Sequence, residues 1–344
     1  MSRGHTLSRD ALLRRLREDT SSATHRLASL GALALPVDAL ARIASHLDAL
    51  PPQVELAAVM SFGVTDERST DDRRLAGMLW WLVCDAYAQL DASAPERLRN
   101  AGSEGVIHAD LVHTGPVEVG HGGLDGNVVV GDLTVDGTLT IPPGQSLFVS
   151  GDLYVTGRVI SPGNPRTHDG LVSVGGSLRG GESISLTCDL FVRGRVEAPI
   201  VTFFGQHGSA WLMSGAAAIY FDESVHPGWS ASVPEAPCVL HDEMALGVEP
   251  EQHGRDDDIQ TVHAPWTDDE AWTATLRETI RPEVLDACGL ADGALTSMSD
   301  DGFKDRLWEA INVEVRSLEE RFTAHALEVF RNRVGPWWRG GRWA

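Results

Sequence analysis

The sequence predicts a mixed α and β fold: a short parallel β-solenoid flanked by an N-terminal helical bundle and a C-terminal helical segment. Three observations predict it. Between Val128 and Asp222 one short phrase recurs five times, as VVVGDLTVDGTL, LFVSGDLYVTGRV, LVSVGGSLRGGESI, LFVRGRVEAPIV and AWLMSGAAAIYF. Its aligned glycines, Gly131, Gly151, Gly175, Gly194 and Gly215, give a period of roughly 20 residues, the spacing of a solenoid in which each repeat stacks on the last. Within each repeat apolar residues alternate with polar ones, whereas the stretches before Asn100 and after Thr267 carry them every three or four positions.

Residues 1–100 supply the bundle. Leu7 to Glu18 places Ala11, Leu12 and Leu16 on one helical face, and Pro36 opens a second pattern through Leu40, Ile43, Ala44 and Leu47. The longest stripe is Leu75, Met78, Leu79, Leu82, Ala86 and Leu90, widened by Trp80, Trp81 and Tyr87. Stripes of this kind bury themselves against one another.

Residues 105–230 supply the solenoid, with VIHADLVHTGPVEVG as an irregular first coil. A period of two turns Leu133, Val135, Leu139, Ile141, Leu153 and Val155 inward and leaves Tyr154 outward. Glycines six apart (Gly131 and Gly137, Gly151 and Gly157, Gly175 and Gly181) fall at corners, where a positive φ is open to glycine. The expected coil is right-handed and three-faced with about five to six turns, parallel pairing above and below satisfying its backbone. The insertion SPGNPRTHDG, Ser161 to Gly170, projects as a loop.

Residues 231–265 read as an acidic linker, and helix returns over 266–344. The run TDDE is a capping box, Thr267 as N-cap and Glu270 reaching back to it. Phe303, Leu307, Ile311, Val315, Leu318, Phe322, Ala326 and Val329 predict one long helix, stopped by Gly335 and Pro336. A tail follows, Trp337, Trp338 and Trp343 interleaved with Arg339 and Arg342.

The net charge of −21 is unevenly spread: 13 acids to 12 bases over residues 1–100, 14 to 5 over 101–240, 16 to 3 over 241–301, and 6 to 8 over 302–344. Such a field repels nucleic acid and anionic membranes and attracts basic partners. No apolar run has the length of a membrane span, and the N-terminus lacks the apolar core of a signal peptide. Cys84, Cys188, Cys238 and Cys288 form no CxxC pair, as expected of free thiols in a reducing cytoplasm.

His108, Asp110 and His113, and again His241, Asp242 and Glu243, are metal-ligating types, but each group lies in irregular sequence without a further anchor. No metal or cofactor is expected. His168, with Asp169 beside it, sits where a hexapeptide-repeat acyltransferase would place its general base, yet the strict six-residue period is not kept. Asp132 and Asp152 follow equivalent glycines and stack one turn apart; with Gly176 and Arg195 at that position in the next repeats, the ladder reads as a solvated corner. GxSxG, P-loop, dinucleotide-binding, HExxH and EF-hand signatures are missing from the sequence. The acidic strip Asp256, Asp257, Asp258, Asp268, Asp269 and Glu270 is the candidate partner-binding site.

The phrases GDLTVDG and GDLYVTG resemble the short β-solenoids of bactofilin-like, polymer-forming bacterial proteins, and the solenoid segments of acidic proteins associated with polymorphic-toxin loci. The resemblance covers Gly105 to Asp222 and implies a non-catalytic scaffold or binding role. The helical segments on both sides depart from bactofilins. The expectation is therefore a non-catalytic cytoplasmic protein of a bacterium, not an enzyme, an immunity-type or regulatory partner whose acidic surface binds a basic protein. It would be a monomer or small oligomer that engages neither nucleic acid nor membrane. A scaffold oligomerising through the solenoid is the alternative, and an acyltransferase using His168 the third reading.

Overall fold

The computed structural model describes residues 6–14, 45, 47–55, 107–120, 124, 128–162, 170–203, 210–222, 238–241, 262–263, 274, 276–289, 301–312, 317–334, 338–339 and 342–343. Most of the expected N-terminal bundle, including the Leu75 to Leu90 stripe, lies outside them. The part within them corrects one element. Leu7 stands in a strand, β1 (Thr6–Ser8), paired antiparallel with β2 (Gln53–Glu55) so that Leu7 faces Val54. Helix begins only at residue 9, because the Ser8 hydroxyl accepts the Ala11 N–H at 3.4 Å and caps it. Arg9 ties this turn to the segment that leads into β2 by donating to the Asp48 and Leu50 carbonyls at 3.1 and 2.9 Å. Leu12, Leu13, Leu47 and Val54 are buried there.

The repeats build a parallel β-solenoid. Its turns are β3 (Ile107–Thr114) with β4 (Val117–Glu118); β5 (Val128–Asp136) with β6 (Leu139–Thr140); and β7 (Ser146–Val149), β8 (Leu153–Val155) and β9 (Arg158–Ile160). Then come β10 (Leu171–Val174), β11 (Leu178–Gly180) and β12 (Ser183–Leu186); β13 (Asp189–Glu197) with β14 (Ile200–Phe203); and β15 (Ala210–Ala216) with β16 (Ile219–Asp222). Four turns, from β5–β6 to β13–β14, have parallel neighbours on both sides, and one further turn flanks them at each end.

The strands stack in three columns. The first two merge into one eight-stranded sheet because β3, β5, β13 and β15 run through both, with irregularities at Ala109/Leu111 and Val192/Arg195. The third column is a separate eight-stranded sheet. It continues beyond β16 into β17 (Cys238–His241) and β18 (Val262–His263), inside the stretch expected as linker.

Alternation does what the sequence pattern predicts. Leu133, Leu153, Leu178 and Val196 share one inward position of the second column, and Val117, Leu139, Val159, Ile184 and Val201 one of the third; all are buried. Each such aliphatic contributes about 1.5–3 kcal/mol of burial free energy. The hydrophobic effect thus fixes register, because a one-residue slip would turn every one of these side chains outward.

The C-terminal segment is helical but not one helix. Its elements are α1 (Pro282–Ala287), α2 (Asp301–Asn312), α3 (Leu318–Arg321) and α4 (Ala324–Val334). Of the apolar stripe, Leu307, Ile311, Leu318, Phe322 and Ala326 are buried and Val329 is half-buried. The expected continuity is broken, for two local reasons. Ser317 and Glu320 form a reciprocal capping box that starts α3. Phe322 then adopts an extended backbone and bridges to Ile280, and the Thr323 hydroxyl accepts the Ala326 N–H at 3.2 Å to start α4. Among the described residues these helices pack sideways on the solenoid. Leu276, Ile280, Val284, Leu307, Phe322 and Phe330 share a core with outward-facing Ile200, Ala216, Ala218 and Ile219 of its last turns. The tail is a two-stranded antiparallel ribbon, β19 (Trp338–Arg339) and β20 (Arg342–Trp343), with Trp338 opposite Trp343.

Candidate functional site

The Gly-Asp pairs of the repeat build a corner. Where a turn passes from the first column to the second, backbone N–H groups need acceptors that strand pairing does not supply. Asp132 Oδ1 accepts the Asp152 N–H at 2.8 Å, Asp152 Oδ1 the Ser177 N–H at 2.7 Å, and Ser177 Oγ the Arg195 N–H at 3.2 Å. The carboxylate of one turn therefore lies against the Cα one turn on. A Cβ at Gly151 would clash with Asp132 Oδ1 and stand 2.8 Å from the Gly131 carbonyl carbon; one at Gly176 would meet Asp152 Oδ1 in the same way. Close approach, more than positive φ, is what excludes side chains here, although Gly131 (φ 108°) and Gly137 (φ 154°) do use the left-handed region. Two alignments change as a result. Gly176, not Gly175, stacks on Gly151, and the position above Asp152 belongs to Ser177, not Gly176. The ladder is a structural corner, with its carboxylates occupied as backbone acceptors.

Outward from the corner, one position of the second column reads Val112, Thr134, Tyr154, Arg179, Glu197 and Ala216 from first turn to last. Its upper part is an ion network. Arg179 Nε donates to Glu197 Oε2 at 2.8 Å, and Arg195 Nε to Glu197 Oε1 at 2.6 Å. Arg179 also reaches the Tyr154 hydroxyl at 2.6 Å, stands 3.5 Å from Asp152 Oδ2 and lies 5.0 Å over the Tyr154 ring, while that hydroxyl donates to Asp152 Oδ2 at 2.7 Å. The Glu197 side chain is only 3% exposed and that of Arg179 11%, so the pair is held where water screens it little.

Burial, the hydrogen bond to Asp152 and the carboxylates of Asp152 and Asp132 push the Tyr154 phenol up to about 12, with Arg179 opposing. Burial alone would lower the Arg179 guanidinium; its hydrogen bond to Glu197, with Tyr154 and Asp152, raises it instead. Tyr154 stays protonated and Arg179 charged, so neither is poised for proton transfer near neutral pH.

The lower part of the same face differs. Val112 is 72% exposed, and Thr114, Asp132 and Asp136 on the same two turns are exposed. Between Arg99 and Arg158 the chain has no lysine or arginine, and Asp132 and Asp136 of the second turn accept the Asp152 N–H and the Thr156 hydroxyl. From Arg158 onward the described solenoid guanidiniums are each matched: Arg158 with Glu182 at 3.0 Å, and Arg179 and Arg195 with Glu197.

The sequence-derived strip, Asp256, Asp257, Asp258, Asp268, Asp269 and Glu270, lies outside the described residues, as do His168, Asp169, Asp242 and Glu243. His108, Asp110 and His113 fall in β3; only the His113 side chain is described, half-buried with Nδ1 3.3 Å from the Gly115 carbonyl oxygen. His241 falls in β17. Among the described residues no group of three or more His, Cys, Asp or Glu could hold a metal ion, and no helix is long and apolar enough to cross a membrane. The Arg179–Glu197 network escapes sequence reading because its members are 18 residues apart and meet only through the register. The run free of lysine and arginine was readable from the sequence and is the signal that marks the lower face. No protein-family model, curated protein or solved structure matches this chain.

Proposed function

We propose that this protein is a non-catalytic binding protein of the bacterial cytoplasm, an immunity-type or regulatory partner that meets a basic protein through acidic surface. The observation that carries this reading is the segregation of charge. The described arginines of the later solenoid turns are neutralised by carboxylates beside them, while the first turns expose Glu118, Asp132 and Asp136 in a stretch without lysine or arginine. The strip at Asp256 to Glu270 adds to the same field. Such a field steers a basic partner and speeds its encounter. The test is capture of partners from the native cytosol by the wild type and by a variant with Asp256, Asp257, Asp258, Asp268 and Asp269 changed to Asn. The reading expects basic proteins on the wild type, retained less by the variant, the difference vanishing as salt is raised. Identical partners at identical salt resistance would remove the strip from the account.

The bactofilin-like scaffold is a second reading, favoured by the packing of the C-terminal helices, among the described residues, on outward-facing residues of the solenoid. Filaments of the intact chain in electron micrographs at micromolar concentration would support it; sedimentation as a monomer or small oligomer would count against it.

A further inference from the structure

From the outer ladder we infer that the face of the first two turns, centred on Val112 and Thr134 and bordered by Thr114, Asp132 and Asp136, docks a basic amphipathic helix of the partner protein. The inference rests on the binding reading above and adds where the partner sits and what form it takes. Two observations carry it.

The first is continuity with an interface the chain already makes. Val112, Thr134, Tyr154, Arg179, Glu197 and Ala216 occupy equivalent positions on successive turns. At the upper end Ala216, with Ala218 and Ile219, lies under the protein's own C-terminal helices, and α4 rests against β15. An outer strand face of this solenoid is thus a surface on which helices pack, and the described helices cover only its last turns. Val112 is the large apolar side chain left exposed on it among the described residues.

The second is charge complementarity. The later turns hold Arg158, Arg179 and Arg195 against Glu182 and Glu197. The open turns present carboxylates around an apolar centre, which selects a helix with lysines or arginines flanking an apolar stripe. A wholly polar cation would gain the charge but leave Val112 exposed, and a neutral helix would gain only the apolar contact.

The experiment uses the full chain and two synthetic probes of equal charge: an amphipathic leucine–lysine helix and a lysine homopolymer. Titration calorimetry of the wild type should show the leucine–lysine helix binding more tightly. Val112→Lys places a like charge at the centre of the face, and should weaken that probe about tenfold or more at physiological salt while leaving the melting temperature unchanged. The Asn variant of the 256–269 strip should retain most of the affinity. If Val112→Lys binds the helix as the wild type does, while the strip variant loses it, the face assignment is overturned and the binding reading survives on the strip. Equal affinity for both probes overturns the amphipathic helix as occupant. Failure of the wild type to bind either probe overturns the binding reading and this inference together.

Discussion

The outer ladder of the solenoid passes through two environments on one backbone geometry. At its lower end Val112 is 72% exposed and its neighbours are acidic; at its upper end Glu197 is 3% exposed, gripped by Arg179 and Arg195, and Ala216 is roofed by helices. Stacking dictates the backbone and the inward side chains in both regions, so they do not differ in how they fold. They differ in what the outward positions are free to do. A position that contributes nothing to the coil is available for other uses: in this chain the upper positions of the ladder are taken by internal packing, and Val112 stays exposed.

The comparison can be broken by substitution, and the largest effect should ignore it altogether. Leu153→Asp places a carboxylate in the core between Leu133 and Leu178 and should cost about 3–5 kcal/mol in urea unfolding; Leu178→Asp should cost the same. A marked difference between them would mean that the core is not uniform along the coil. Gly181→Ala should come next, at about 1–3 kcal/mol, because its Cβ would strike the Thr156 carbonyl oxygen, a backbone atom that cannot swing away.

Outward substitutions should then separate the two regions. Glu197→Gln strips Arg179 and Arg195 of their shared carboxylate and should cost about 1.5–3 kcal/mol, whereas Asp136→Asn, on the open face, should stay within about 0.5 kcal/mol. Similar values for both would erase the distinction between buried network and open face. Tyr154 sharpens the boundary. Its folded-state phenol is raised to about 12 from an unfolded value near 10, so the unfolded chain loses that proton first as pH rises. The contribution of Tyr154 is therefore complete below about pH 10 and lost between about 10 and 12. Thermal unfolding across that window should show a fall that Tyr154→Phe makes shallower.

Much of the coil was legible in the sequence because its causes are local. Alternation assigned the inward residues, and the Gly-Asp pairs marked a corner. The register of the third repeat was hidden because its phrase begins one residue earlier: Leu171 pairs with Ser146 and Leu178 with Leu153, which sets Gly176 and not Gly175 on Gly151. The outer network was not legible, because Arg179 gains its meaning from Tyr154 and Glu197 on neighbouring turns. The C-terminal stripe predicted burial and hid the breaks, since side chains lining a common core keep helical spacing even where Ser317 and Thr323 restart the helix. The capping signature from Ser317 to Glu320 was present in the sequence and is the kind of punctuation that overrules periodicity.

The central claim, that outward carboxylates are exposed on the first turns and sequestered at Glu197, is tested most directly by carbodiimide labelling of the native full chain, read residue by residue by mass spectrometry. The account predicts rapid modification at Glu118 and Asp136 and strong protection at Glu197, with that protection abolished on unfolding. Modification of Glu197 in the native chain as fast as that of Asp136 would contradict it.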